Sequence, residues 1–298
     1  MIPYILYRVG VFLSLTLPIN VSYSLATVLA DIFYYCSPKD RDAVISNLRM
    51  VLGSSVDDKI VADTARNVFR NFAKYLIDFF RFSKIDKEYL NSHVKIDGIS
   101  NIDDALSLGK GAIALSAHIG NWELGGLIVG MLGYPISGVV LTHKNKRIND
   151  FFTGQRMLGN MRPIEVGAAL KGCYRALRSN ELLALLGDRD FTKNGILTDF
   201  FGRKAMMPKG PAVLSHRLGA AIVPIFVVRE PKNTFTIHVE RPFTCTAGLD
   251  EEAAVRELVG KCIRSIESCI KKYPSQWFVF RKIWDINDNE YLRPDTIV

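Results

Sequence analysis

Ala112-Ile113-Ala114-Leu115-Ser116-Ala117-His118-Ile119-Gly120-Asn121-Trp122-Glu123 is the stretch on which the reading of this chain turns. A short apolar run, the signature of a buried strand, ends at a histidine and is followed by a second apolar run, Leu124 to Leu132. A histidine and a carboxylate at a strand exit have the chemistry of a general base and its orienting partner. Five steps along a regular helix turn the chain by about 140°, so on one helix His118 and Glu123 would point apart. They meet only if His118 sits in the strand-to-helix turn and Glu123 in the first helical turn. Gly120 permits that turn and Asn121 is a fitting N-cap. The competing reading is a loop histidine beside a carboxylate that complements the helix dipole.

Downstream of about His93, short apolar strands alternate with helices. Strands are predicted near Val94–Asp97, Ala112–Ala117, Ile136–Thr142, Ile164–Val166, Leu182–Leu186, Ala221–Arg229 and Thr234–Glu240. Helices are predicted near Asn121–Leu132, Arg147–Asn160, Ala168–Arg178, Gly210–Leu218 and Glu251–Tyr273. This is the pattern of an α/β fold with a central sheet flanked by helices, and its sites belong at the carboxyl ends of the strands. Two further helices precede it, near Lys39–Val51 and Val56–Phe82. With no Pro/Gly/Ser-rich linker, the organisation expected is an apolar helical segment (1–36) followed by one α/β catalytic domain (37–298).

Val9 to Ala30 carries no charge, and on length it could span a bilayer. Pro18 and Asn20 interrupt it, so two shorter helices lying in the membrane interface fit at least as well. A signal peptide and a buried helical hairpin are the other readings. Arg8, Lys39, Arg41 and Arg49 flank the block and favour attachment at the cytoplasmic face.

The 298 residues are 48% hydrophobic with a net charge of +8, and the mean hydropathy is +0.12. The bases are clustered. Lys144 to Arg178 holds eight Lys/Arg against Asp150 and Glu165, and Lys261 to Lys282 holds six against Glu267. Such clusters suit anionic lipid, an acidic carrier protein or nucleic acid. No helix-turn-helix, RNP or zinc-finger pattern accompanies them, which ranks nucleic acid last. The five cysteines are scattered without a C-x-x-C pair, and the histidines lack ligand spacing, so no metal or cofactor is expected.

Other polar clusters mark candidate binding residues. Asp188-Arg189-Asp190 again ends an apolar strand. Phe200-Phe201-Gly202-Arg203-Lys204 combines aromatics and bases that could line an acyl groove or touch headgroups. Pro208-Lys209-Gly210-Pro211 precedes a helix, where Lys209 and the free N–H groups at Gly210 could hold an anion. Arg156 could bind a phosphate bidentately.

Together these residues resemble the bacterial lipid A late acyltransferase (lauroyl/myristoyl transferase) family within the lysophospholipid acyltransferase superfamily. His118-x-Gly120-Asn121-Trp122-Glu123 is similar to its H-x4-D/E box, and Ser37-Pro38 through Asn47-Leu48-Arg49 to its early basic helix. Asn145 and Arg156 fall at the family's Asn and following Arg. Asp188-Arg189-Asp190, Gly195 and Phe200-Phe201-Gly202 resemble its D-x-D…G…FFG block, and Gly219 to Pro224 its G-A-x-x-x-P strand entry. Near the C-terminus Phe280 stands where many members have a histidine, and Ser275 replaces a common Glu.

The resemblance implies an α/β fold with a central mixed sheet flanked by helices, of the lysophospholipid acyltransferase type, behind an N-terminal helical membrane-associated module at the cytoplasmic face of the cell inner membrane. It implies transfer of an acyl chain from a thioester, with acyl carrier protein as donor partner, to a hydroxyl of a membrane glycolipid such as a lipid A precursor. His118 and Glu123 would be the base dyad. Asn121, Trp122, Asn145, Arg156, Asp188, Arg189, Asp190, Lys209 and Gly210 would bind substrate. A phosphatidylinositol mannoside acceptor, and a non-catalytic anionic-lipid binder on the same scaffold, are the alternatives.

Overall fold

The computed structural model describes residues 2–190 and 194–284. Helices α1 (Ile2–Thr16), α2 (Ile19–Cys36), α3 (Pro38–Leu52) and α4 (Asp58–Phe80) come first. Pro18 lacks the N–H and the torsional freedom to carry α1 onward, so the uncharged N-terminal block is two helices rather than one. Among the described residues no helix is long and apolar enough to cross a membrane. Asp31 of α2 accepts paired bonds from Arg66 and Arg70 of α4, at 2.7–2.8 Å, and fastens the two helices together.

The remaining elements alternate: α5 (Lys87–His93), β1 (Val94–Asp97), α6 (Ser100–Leu106), β2 (Ala112–Ser116), α7 (Trp122–Met131), β3 (Ile136–Val140), α8 (Lys146–Met157), β4 (Arg162–Glu165), α9 (Ala169–Arg178), β5 (Leu182–Leu186), β6 (Ile196–Phe200), β7 (Arg203–Met207), α10 (Gly210–Leu218), β8 (Ala221–Arg229), β9 (Phe235–Val239) and α11 (Glu251–Lys272). Seven strands form one sheet in the order β1-β9-β8-β2-β5-β3-β4. Every neighbouring pair is parallel except β8–β9. The predicted α/β class and its mixed sheet are present, and the strands fall within a few residues of expectation.

Successive strand residues point to opposite faces, which sorts the core into two layers. Ile113, Leu115, Leu183, Ile222 and Phe226 pack beneath α9, α10 and α11. Ala114, Ala184, Val223 and Val227 face the side covered by α6, α7 and α8. Cys262 and Cys269 face the first layer from α11, and burial pushes both thiols up to about 12, so they act as small hydrophobes. On the second face, side-chain size has a consequence. Ala114 lies in register with Ala184, and Ala184 with Gly138, so a row of minimal side chains crosses β2, β5 and β3.

One hairpin escaped the sequence reading. β6 and β7 pair antiparallel around Phe201 and Gly202, both at positive φ (52° and 75°), a two-residue turn matched to strand twist. The charged residues of this segment hid its period of two. Its aromatics do not line an acyl groove as expected: Phe200 is fully buried and stacks on Trp284, with ring centroids 5.5 Å apart. Lys204 is occupied with Asp199 at 3.0 Å.

Candidate active site

His118 leaves β2 in the turn before α7, as the box predicted. Gly120 adopts φ +62°, and a Cβ there would strike the Val227 carbonyl oxygen, so the turn requires glycine. Asn121 Oδ1 accepts from Leu124 N at 3.0 Å, the N-cap bond that starts α7. Its amide donates to Asp78 Oδ2 at 2.9 Å, inside a buried cluster where Asp78 also binds Tyr23 and Arg229. Asn121 is therefore a buried structural cap, and the substrate-binding role expected for it is not available.

The carboxylate that orients His118 is Asp188, not Glu123. Asp188 Oδ1 lies 2.7 Å from Nδ1, while Oδ2 accepts the backbone N–H of His118 at 3.1 Å and the indole N–H of Trp277 at 3.0 Å. Strand register explains the meeting. Ser116 of β2 pairs with Leu186 of β5, and two residues beyond each stand His118 and Asp188. Burial opposes charge on Asp188, but the imidazole, the Arg189 guanidinium and the Trp277 N–H outweigh it. Its pKa is held well below the ordinary carboxylate range. Asp188 is thus an ionised acceptor at neutral pH and calls for a proton on Nδ1, the nitrogen that the Arg189 Nε–H also approaches, at 3.3 Å.

Glu123 has a different partner. Arg156 of α8 clasps it through Nε (2.9 and 3.1 Å) and Nη2 (2.5 Å), and both side chains are buried. Burial disfavours the guanidinium charge, but Glu123 more than compensates, so the Arg156 pKa is raised. Arg156→Ala would strand a buried carboxylate and is expected to destabilise the fold by about 3–5 kcal/mol in urea unfolding at pH 7. The double change Glu123→Leu/Arg156→Met should recover most of that stability.

His118, Trp122, Glu123, Arg156 and Arg189 all line one cavity of about 500 Å³. Trp122 stacks on Tyr75 at 4.6 Å and presents an edge to the imidazole at 5.1 Å. Away from these polar groups the cavity runs beneath α7, over the row Ala114, Ala184 and Gly138 and under Gly125 and Gly126. The small side chains of the sheet leave an apolar cavity that reaches the imidazole, while Gly125 and Gly126 let α7 close onto Val227 and Met161. His143 also lines it, with its pKa lowered by burial and by Arg156, so it is neutral near pH 7.

Other expected residues lie elsewhere. Asn145 caps α8 by accepting from Arg147 N at 3.0 Å. Buried Asp190 accepts Gly195 N at 2.7 Å. Lys209 and Gly210 are exposed at the start of α10, which packs through Ala212 and Leu214 on the sheet face opposite the cavity. None of these lines the cavity. The backbone N–H groups of Gly120 and Asn121 are already bonded to Gln276 O and Val227 O, at 2.9 and 2.8 Å, which removes them as oxyanion donors.

The sequence reading noted the segment around Ser275 and Phe280 for its departures from the family but not that it locks the box. Phe278 N donates to His118 O at 2.7 Å, Gly120 N donates to Gln276 O, and Trp277 supports Asp188. A tryptophan in an isolated apolar stretch carries no sign of such a role.

A carboxylate-backed imidazole beside an apolar cavity in an α/β sheet is an arrangement that suits acyl transfer. The chain belongs to the bacterial lipid A biosynthesis acyltransferase family, whose profile it matches over residues 2–285. It is 27% identical over 262 residues to a phosphatidylinositol mannoside acyltransferase of Mycolicibacterium smegmatis, covering 84% of this chain and 82% of the relative. A protein of the same description from Mycobacterium tuberculosis is 26% identical over 260 residues, covering 84% and 79%. A lipid A biosynthesis acyltransferase of Haemophilus influenzae is 27% identical over 144 residues, covering 47% and 44%. The chain is thus an acyltransferase of this family.

Proposed function

We propose that this enzyme moves a fatty acyl chain from a thioester to a hydroxyl of a membrane phosphoglycolipid, with His118 as the base. The carrying observation is the channel: an imidazole with its Nδ1 tied to Asp188 stands at the head of an apolar slot floored by Ala114, Ala184 and Gly138. The acyl chain occupies the slot, which brings the thioester carbonyl beside Nε2. His118 Nε2 takes the acceptor hydroxyl proton as its oxygen attacks the carbonyl carbon. The C–S bond then breaks, and the imidazolium returns its proton to the leaving thiolate. Arg156, held by Glu123, and Arg189 line the cavity where negative charge develops. Glu123 acts in this scheme by positioning Arg156.

Acyl carrier protein is the proposed donor, since an acidic carrier suits a chain of charge +8 with Lys144, Lys146 and Arg147 on the loop and helix after β3. Leu6, Phe12, Val28 and Ile32 are all more than half exposed on α1 and α2. Such a surface suits docking in the interface of the inner membrane from the cytoplasmic side. A lipid A precursor is the acceptor the resemblance implies. The relatives that match along most of the chain favour a second acceptor, a phosphatidylinositol mannoside. Acyl-carrier-protein and coenzyme A thioesters should be offered with each acceptor in vesicles and the lipids weighed by mass spectrometry. One glycolipid heavier by a single acyl group, with one thiol released, is expected. Thioester consumption without an acylated lipid would overturn the proposal.

Channel length makes a separate prediction. A side chain at Gly138 grows toward Met161 and Ala184, so Gly138→Leu should shorten the slot by about three methylenes. At about 0.8 kcal/mol per methylene, long-chain donors should lose roughly 50-fold in kcat/KM relative to short ones. Competition between donors of different chain length would measure the shift.

A further inference from the structure

A second cavity, of about 330 Å³, lies between α1, α2 and α4, outside the catalytic channel. That volume falls within the range of about 300–1,000 Å³ typical of small-ligand sites. Its walls are almost wholly hydrocarbon, with Leu13 and Leu17 from α1 and the turn after it, Ala26 and Leu29 from α2, and Ala73 and Leu76 from α4. Leu25, Leu29 and Phe33 both line it and are exposed, so it communicates with the apolar outer face of α2. Its inner wall is shared with the catalytic cavity: Phe72 and Phe280 line both, and their rings meet edge to face at 5.1 Å.

One polar atom breaks the pattern. Ser22 Oγ is buried in this wall and has no hydrogen-bond partner among the described residues. A helical serine commonly bonds back to the preceding turn, as Ser14 and Ser24 do. A buried hydroxyl left unpaired is destabilising, and an incoming acceptor oxygen would remove that cost. An apolar cavity with one unsatisfied donor is complementary to an ester-linked hydrocarbon chain.

We propose that this cavity holds an ester-linked acyl chain already present on the acceptor lipid, with the ester carbonyl on Ser22 Oγ. Phe72 and Phe280 form the partition that keeps this chain apart from the one being transferred. The inference rests on the glycolipid-acceptor reading. The opening faces the exposed apolar surface, so the chain slides in from the bilayer. Its headgroup then lies beside the partition, within reach of the catalytic cavity. Phe280 becomes a wall element common to both cavities.

The test uses the full-length enzyme in phosphatidylcholine vesicles without donor, so its outcome does not depend on turnover. A diacyl phosphoglycolipid acceptor carrying a photoreactive diazirine in one chain is irradiated and the adducts mapped by peptide mass spectrometry. Adducts on residues 10–33 and 69–80, competed by unlabelled acceptor, are expected. In Ala26→Phe and Ala73→Phe, each checked for a native-like melt, they should fall about tenfold. KM for the acceptor should rise by about the same factor, with kcat retained. Ser22→Ala should weaken the ester-linked acceptor several-fold but leave its ether-linked analogue unchanged, a distinction that a merely structural role for Ser22 would not produce. Adducts confined to residues 112–140, adducts competed equally by phosphatidylcholine, or filled variants with unchanged labelling would each overturn the assignment.

Discussion

Asp188→Asn is expected to lower kcat about 10⁴-fold with little change in KM for either substrate. The amide can still accept the Trp277 and His118 backbone N–H groups through its oxygen, so the local fold survives. Its NH₂ then faces Nδ1, which must become the acceptor, and the ring proton moves to Nε2. An imidazole protonated at Nε2 cannot take the acceptor proton, so chemistry fails while binding persists. Single-turnover rates with a pre-bound thioester would measure the effect. A loss of less than tenfold would mean that Asp188 does not orient the base. A stability signature accompanies the change. Because the Asp188 pKa is depressed by folding, its contribution is fully present above the ordinary carboxylate value of about 4 and is lost as pH falls toward the folded value. The asparagine variant should lack that acid-side loss, which urea titrations at pH 3 and pH 6 would reveal.

His118→Ala is the second large effect, a fall of about 10⁴-fold in kcat, no smaller than that of Asp188→Asn because Asp188 acts through the ring. The residue is pinned through its backbone by Asp188 and Phe278, neither of which needs the imidazole, so the turn and the channel should persist. Binding of a non-hydrolysable acyl thioester should therefore be within a few-fold of wild type. The double variant His118→Ala/Asp188→Asn should be no slower than His118→Ala alone, because Asp188 acts only through the ring. Additive losses would mean that Asp188 touches substrate itself.

Much of the site was legible from the box alone. His118 at a strand exit, Gly120 in a left-handed turn, Asn121 as the cap and Glu123 in the first helical turn follow from local backbone chemistry, and the structure has all four. The partners were not legible. Asp188 lies seventy residues beyond His118, and nothing in either segment says that β2 and β5 are neighbours. The D-R-D cluster was recognised as a strand-end site but assigned to substrate, because its sequence position does not reveal which imidazole it meets. Glu123 and Arg156 were each picked out, yet their pairing depends on how α8 packs against α7. Lys209 was misleading for the complementary reason. A cation at a helix start looks the same on either face of a sheet.

Local periodicity and composition determined the α/β class, the positions of most strands, the break at Pro18 and the strand-to-helix turn that carries the imidazole. Those features depend on steric and hydrogen-bonding preferences within a few residues, which the chain states directly. Tertiary structure decided which carboxylate holds His118, which one holds Arg156, and that Ala114, Ala184 and Gly138 line up into a channel floor. Strand order and register set these relations, and they arise from packing among residues far apart in the chain.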